Sequence, residues 1–411
     1  MTWNLRWRLS LMMFMQYAIW GAWNPVLGAY LEKLGFTGVQ TGNIYNALPL
    51  ACMVAPFIGG QVVDRYMPTQ WFLALAHMLG GATLILCARQ HSFGGILLLM
   101  MLFSFLYAPT LALTNSLSFH HIKNPEKEFG GIRVWGTIGW IAAGLVLSLW
   151  RTQRPSSSAS DCLYLGGIAA ILLGGFSAFL PHTPPRRSPT ASPWAFADAL
   201  RLLKDKNFSI FLVISFVVST ELMFYYMLTA PFLETIGVSP QKVSAVMTIG
   251  QIAEIATMAI ALPYFLPKYG VRKCLAIGVL AWPIRYAVFS IGGPTWLVVA
   301  SLSLHGICYV FFFTVAQVYV DSVAPPNIRA SAQTLLNLVT LGLGLLVGGI
   351  FAGKIKDIFT VFGPNGQIQS INYTGVFLVP CALTILCAMA FLLTFRQKPA
   401  PPQNGAPVIA K

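Results

Sequence analysis

The sequence predicts an all-α membrane protein with about twelve transmembrane helices in two pseudo-symmetric six-helix halves. Three observations lead there. Only 9% of the 411 residues are charged and 56% are hydrophobic, against about 25% charged in an ordinary soluble domain. Mean hydropathy is accordingly high, at +0.69. The apolar residues gather in runs of the length, about 20 residues, that crosses a bilayer. One long polar stretch, beginning at His182, cuts the series of runs near its middle.

Divided by length and by polar or Pro/Gly breaks, the spans fall near 9–31, 41–63, 71–89, 95–118, 132–150, 163–181, 207–233, 241–266, 272–292, 295–320, 329–353 and 373–395. The first follows Arg6 and Arg8 much as a signal peptide would. Its apolar run is too long and aromatic for one, and no small-residue cleavage site follows, so it is expected to stay as the first membrane helix. Without water to satisfy backbone groups each span must be a helix, and the lack of strict alternation argues against a barrel. The expected organisation is an N-terminal half over 1–181, a cytoplasmic linker over 182–206, a C-terminal half over 207–395 and a disordered cytoplasmic tail over 396–411. The linker opens on HTPPRRSP, where prolines remove donors and restrict their neighbours, and ends as an amphipathic stretch with Arg201, Lys204 and Lys206. Two such halves are the layout of a transporter built from repeats.

The formal charge of +14 comes from basic residues scattered between apolar runs, with no contiguous patch, which excludes a nucleic-acid partner. Placing both termini in the cytoplasm puts about 18 Lys and Arg inside and about 7 outside, a positive-inside bias. The seven cysteines form no C-x-x-C pair and mostly lie inside apolar runs, so neither a disulfide framework nor a metal site is expected. No cofactor is implied. An enzyme would need a nucleophile, a metal cluster or paired acids, and none is found.

Several stretches carry chemistry. After the second span, Gly60, Asp64 and Arg65 form G-x-x-x-D-R, where the glycine permits close helix approach and the charged pair can latch neighbouring helix ends as a conformational switch. An ordinary charged loop would look the same, but FLPKYGVRKC occupies the equivalent place in the second half, and this repetition resembles the major facilitator superfamily. In IRVWGTIGW, Arg133, Thr137 and Trp140 share one helix face. They offer a cation, a hydroxyl and an aromatic plane, or else a snorkelling arginine with interface tryptophans. The seventh span carries Glu221, Tyr225 and Tyr226, and the tenth carries His305 and Tyr309 one turn apart. Such aromatics commonly pack, and a lone His commonly makes a packing hydrogen bond. Arg285 needs a partner, with Glu221 and Glu254 as the candidates. Glu254 is the strongest signal, because an acid near the midplane is expensive; it shares a face with Gln251 and could meet Arg133 across a cavity.

Together these stretches resemble the nucleoside–proton symporter family of the major facilitator superfamily, most nearly its nucleoside transporters outside the best-characterised nucleoside and xanthosine permeases. The resemblance rests on IWGAW, YAPTLALTNSLSF, IRVWGTIGW, GQIAEI, LPYFLPKYGVRK, LHGICY and IRASAQ, in order along nearly the whole chain. It implies a nucleoside site at Arg133, Thr137, Gln251 and Glu254, with Glu254 also a candidate coupling acid and Trp140 at an aromatic position. Met223 and Tyr226 stand where the family has amides, His305 replaces a tyrosine, and Val310 follows Tyr309 where the family has an acid.

The expected protein is therefore a monomeric inner-membrane importer of a nucleoside with a proton, its substrate bound by Arg133, Thr137, Trp140, Tyr226, Gln251, Glu254, His305 and Tyr309. A sugar or other polar-solute symporter of the same fold, favoured by the missing tenth-span acid, and a non-transporting membrane sensor are the competing readings.

Overall fold

Leucine-, valine- and phenylalanine-rich runs without internal polar breaks can satisfy their backbone in a bilayer only as helices, and helices occupy each stretch where the sequence predicts a span. The computed structural model describes residues 3–185, 199–325 and 328–396. The first half comprises α1 (Trp3–Trp23), α2 (Leu27–Lys33), α3 (Gly38–Tyr45), α4 (Ala47–Arg65), α5 (Thr69–Cys87), α6 (Phe93–His121), α7 (Pro125–Gln153) and α8 (Asp161–Ser177). The second comprises α9 (Lys206–Thr235), α10 (Val243–Ala256), α11 (Leu262–Ile291), α12 (Thr295–Ser301), α13 (Leu304–Cys308), α14 (Val315–Val323), α15 (Arg329–Asn337), α16 (Leu345–Ile358) and α17 (Tyr373–Thr394). Eight helical segments among the described residues are long and apolar enough to cross a membrane. One of them, Val243–Ile291, contains two predicted spans, separated at Gly270, whose φ of 75° breaks the helix.

Among the described residues, three π-helical stretches interrupt the second half, at Thr257–Ala261, Tyr309–Thr314 and Leu338–Gly344. A two-stranded antiparallel hairpin, β1 (Thr360–Phe362) and β2 (Ile368–Ile371), joins α16 to α17 and was not expected from the sequence. Of the linker, the prolines at 184 and 185 are non-helical, and Leu200–Lys204 forms a short 3-10 turn. Most of the predicted linker and nearly all of the predicted tail, 186–198 and 397–411, lie outside the described residues.

Contacts between the halves concentrate at the end of the bundle opposite the termini. There α3 and α16 touch backbone to backbone: a Cβ on Gly42 would lie 2.1 Å from the Gly349 carbonyl oxygen, and one on Gly38 would lie 2.2 Å from that of Gly353. Small residues four apart on both helices allow this approach. Asp357 accepts the backbone N–H groups of Gly38 (2.5 Å) and Val39 (2.9 Å). Lys356 pairs with Glu32 at 2.6 Å, Tyr373 donates to the same carboxylate, and Lys33 pairs with Glu234 at 2.9 Å. Ser244 and Ser148 close the other flank, donating to the carbonyls of Gly144 and Gln241. Deeper in, Tyr45 donates to the Tyr226 carbonyl, and Met53 lies against Gly342. Among the described residues, the hydrogen bonds and ion pairs that join the halves lie at this end or near mid-depth.

Candidate functional site

The site is built from two walls that meet at mid-depth. In the first half, α1 and α7 approach so closely that a Cβ on Gly139 would lie 2.0 Å from the Phe14 carbonyl oxygen. That contact brings Tyr17 and Trp20 of α1 beside Arg133 and Trp140 of α7. The Arg133 guanidinium lies 4.1 Å from the Tyr17 ring centroid, a cation–π contact. Trp20 meets Trp140 edge-on at 5.3 Å, and Tyr17 lies 6.5 Å from Trp20. Thr137 is half-buried on α7, between Arg133 and Trp140 in sequence.

The second wall comes from α9, α10, α13 and the π-helical stretch after α13. Tyr225 stacks on His305 at 4.4 Å, Tyr226 meets the same imidazole edge-on at 6.2 Å, and Tyr309 lies 5.7 Å from it. Glycines allow α10 to reach this group: a Cβ on Gly250 would lie 2.6 Å from the Tyr225 hydroxyl, and one on Gly306 would lie 2.4 Å from the Ala253 backbone. Gln251 is buried beside Tyr225, and its carbonyl oxygen has no hydrogen-bond partner among the described residues. Glu254, 11 residues from the start of α10 and so about 16 Å along it, is half-buried; among the described residues it makes no hydrogen bond or ion pair. Arg133 is the cation whose field reaches it from the other half. Trp140 and Tyr226, 6.3 Å apart, bridge the walls.

The structure thus gathers Arg133, Trp140, Tyr226, His305 and Tyr309 around one place, with Gln251 and Glu254 on the adjoining helix. It does not pair Arg285 with either candidate acid. Arg285 is fully buried in a cage of Trp282 (4.5 Å), Tyr225 (4.6 Å) and Tyr286 (5.1 Å), and its Nη1 lies 3.2 Å from Nδ1 of His305. Aromatic faces and an imidazole lone pair take the place of the expected carboxylate. Glu221 is also fully buried, near the Thr220 hydroxyl at 3.3 Å, and the Tyr286 hydroxyl donates to its backbone carbonyl.

Tyr17 and Trp20 were missed by sequence reasoning. Their signal was available, since they lie three apart on one face of the first span, Trp20 inside the IWGAW stretch. Of the expected switch, Gly60 and Asp64 lie on the last turns of α4 with their side-chain surroundings outside the described residues, and Arg65 is exposed. In the matching turn of the second half, Arg272 donates to the carbonyls of Phe395 and Leu392 at the end of α17.

A two-walled polar and aromatic site at the centre of two packed helical halves defines a multi-pass membrane transporter of the major facilitator type. The family profile described as nucleoside H+ symporter matches residues 3–400, so the chain belongs to the nucleoside H+ symporter family, whose members are transporters and not enzymes. YegT of Escherichia coli K12 is 34% identical, the match covering 95% of this chain and 93% of that protein. The nucleoside permease NupG of the same organism is 31% identical over 96% of this chain and 97% of its own length. The crystal structure of the nucleoside transporter NupG superposes with a TM-score of 0.86 over 96% of this chain and 100% of that one.

Proposed function

We propose that this protein imports nucleosides across the bacterial inner membrane in symport with protons. The observation that carries the reading is the mid-depth site in which aromatic planes from both halves surround hydrogen-bonding groups that have no partner among the described residues. A nucleoside needs those two things, since it is uncharged, offers a flat base and carries ribose hydroxyls. In this reading Trp140, Tyr226 and Tyr309 pack on the base or sugar, and Arg133, Thr137, Gln251 and His305 hydrogen-bond it. Glu254 accepts a ribose hydroxyl or takes the coupled proton. The resemblance to a nucleoside permease over nearly the full length supports the substrate class.

The positive-inside bias supports cytoplasmic termini. With that orientation, the packed end of the bundle faces the periplasm, and the conformation is the inward-facing one. The units that rock as a monomer about the site are 1–181 and 207–395, joined by the linker 182–206, with Gly60, Asp64 and Arg65 as a switch at the cytoplasmic end. The test is counterflow in proteoliposomes with labelled nucleosides and labelled sugars in parallel, with and without an inward proton gradient. Nucleoside exchange without the gradient and nucleoside accumulation with it are expected. Sugar exchange with no nucleoside exchange would overturn the substrate class.

A further inference from the structure

The hydrogen bond between Arg285 and His305 settles which nitrogen of the imidazole carries hydrogen. A guanidinium has donors only, so the Nδ1 atom that lies 3.2 Å from Arg285 Nη1 must present its lone pair. A neutral imidazole has one donor and one acceptor nitrogen. The proton is therefore on Nε2, and an imidazolium would set one N–H against another. Arg285 is itself held by three aromatic rings and is fully buried, so this partner is fixed in place.

His305 Nε2 is buried and has no hydrogen-bond partner among the described residues. The imidazole is stacked on Tyr225 and flanked by Tyr226 and Tyr309, two of the rings that wall the candidate site, while Tyr226 reaches Trp140 across the halves. The ionisable groups packed about it are Arg285, the tyrosines 225, 226 and 309, and Glu254, whose backbone nitrogen lies against Gly306. A buried N–H with no partner is costly, and a ligand acceptor removes that cost.

We propose that Arg285 is a positioning residue that holds His305 as its Nε2–H tautomer, and that this N–H selects an acceptor on the base, a carbonyl oxygen or a ring nitrogen. His305 then serves specificity and does not carry the coupled proton. The donor role rests on the nucleoside reading above; the tautomer does not.

Nitrogen-15 NMR of the full chain labelled at its six histidines tests the first step, the His305 signal being identified by its loss in His305→Gln. The wild type should show a protonated Nε2 and a bare Nδ1 at neutral pH, and Arg285→Met should lose that single form. An Nδ1–H tautomer or an imidazolium in the wild type would overturn the proposal. The second step is tested by nucleoside binding to the same proteins in nanodiscs. His305→Phe should bind about tenfold more weakly, the worth of one buried hydrogen bond, and His305→Gln, whose amide N–H reaches a similar place, should recover most of the loss. Among analogues with one base acceptor replaced by C–H at a time, one should lose affinity for the wild type and lose none for His305→Phe. If His305→Phe binds the parent nucleoside as the wild type does, the donor role is wrong. If the wild type binds no nucleoside, the substrate reading falls and takes the donor role with it, while the NMR result still decides the role of Arg285.

Discussion

Glu254 sits half-buried at mid-depth with no hydrogen bond or ion pair among the described residues. A charge at the bilayer centre costs about 2.5–3.5 kcal/mol on insertion scales, so this acid either meets water in a cavity or takes up a proton. Glu221, the other intramembrane acid, is fully buried against Thr220. Glu254 is the one of the two with exposed surface through which a proton can exchange. Glu254→Gln should therefore abolish accumulation driven by a proton gradient while leaving counterflow within about tenfold of wild type, ~1.4 kcal/mol of binding. Gradient-driven accumulation at the wild-type level would remove the coupling role. At this scale the sequence was informative wherever a residue was out of place in apolar surroundings. Glu254, Gln251 and Arg133 stand out for that reason, and the structure brings them to neighbouring walls. Arg285 stood out too, but its partners did not, because a membrane cation can be satisfied by aromatic faces that look like ordinary packing residues. Tyr17 and Trp20 escaped for the same reason.

The helices were legible because a bilayer permits so little else: hydropathy placed some to within a few residues, as in α5 (Thr69–Cys87) against 71–89 and α9 (Lys206–Thr235) against 207–233, while α7 starts seven residues before the expected 132. Irregularities inside and between them were not. The β1–β2 hairpin is seven residues of strand with exposed or half-buried side chains, too short for a period to register. The π-helical stretches follow no composition rule either, yet one begins three residues after Glu254 and another begins at Tyr309, as π-bulges often do near functional sites. The contact of α3 with α16 is the element-level feature with the plainest consequence. With only 2.1 Å between a Cβ on Gly42 and the Gly349 oxygen, a larger side chain cannot be accommodated unless the helices part. Gly42→Leu should hold the packed end open. A cysteine at Ser244, buried against Gly144 in this conformation, would then label about tenfold faster with an impermeant thiol reagent added on the side opposite the termini, a shift of ~1.4 kcal/mol. Unchanged labelling would show that the contact does not set the closed state.

Across the whole molecule, the end that joins the halves combines backbone contact with charged pairs whose partners lie on different halves, Glu32 with Lys356 and Lys33 with Glu234. Nothing in one sequence connects such partners, which is why the hydropathy pattern carried the helices and the out-of-place polar residues but no conformation. Alternating access requires that these contacts form and break, so their strength must be comparable with the few kcal/mol that separate two populated states. The two pairs are unequal. Lys33 is nearly half exposed, and a pair of that kind contributes about 0–1 kcal/mol. The Lys356 side chain is 1% exposed and that of Glu32 is 22% exposed, while Tyr373 donates to the same carboxylate. Removing the cation leaves a partly buried carboxylate and a tyrosine without the charge that holds them, a loss between the surface value and the ~3–5 kcal/mol of a fully buried pair. Lys356→Met should therefore shift the population toward a state open at this end, while Lys33→Met should do little. Spin labels at Gln153 and Asn365, exposed at this end on the first half and on the hairpin, report the change as a longer-distance component in double electron–electron resonance. The component should grow in Lys356→Met, should be restored toward wild type by Lys356→Arg, and should stay small in Lys33→Met. Equal effects from the two methionine variants would mean that net charge at this end, and not the buried Glu32–Lys356–Tyr373 contact, holds it shut.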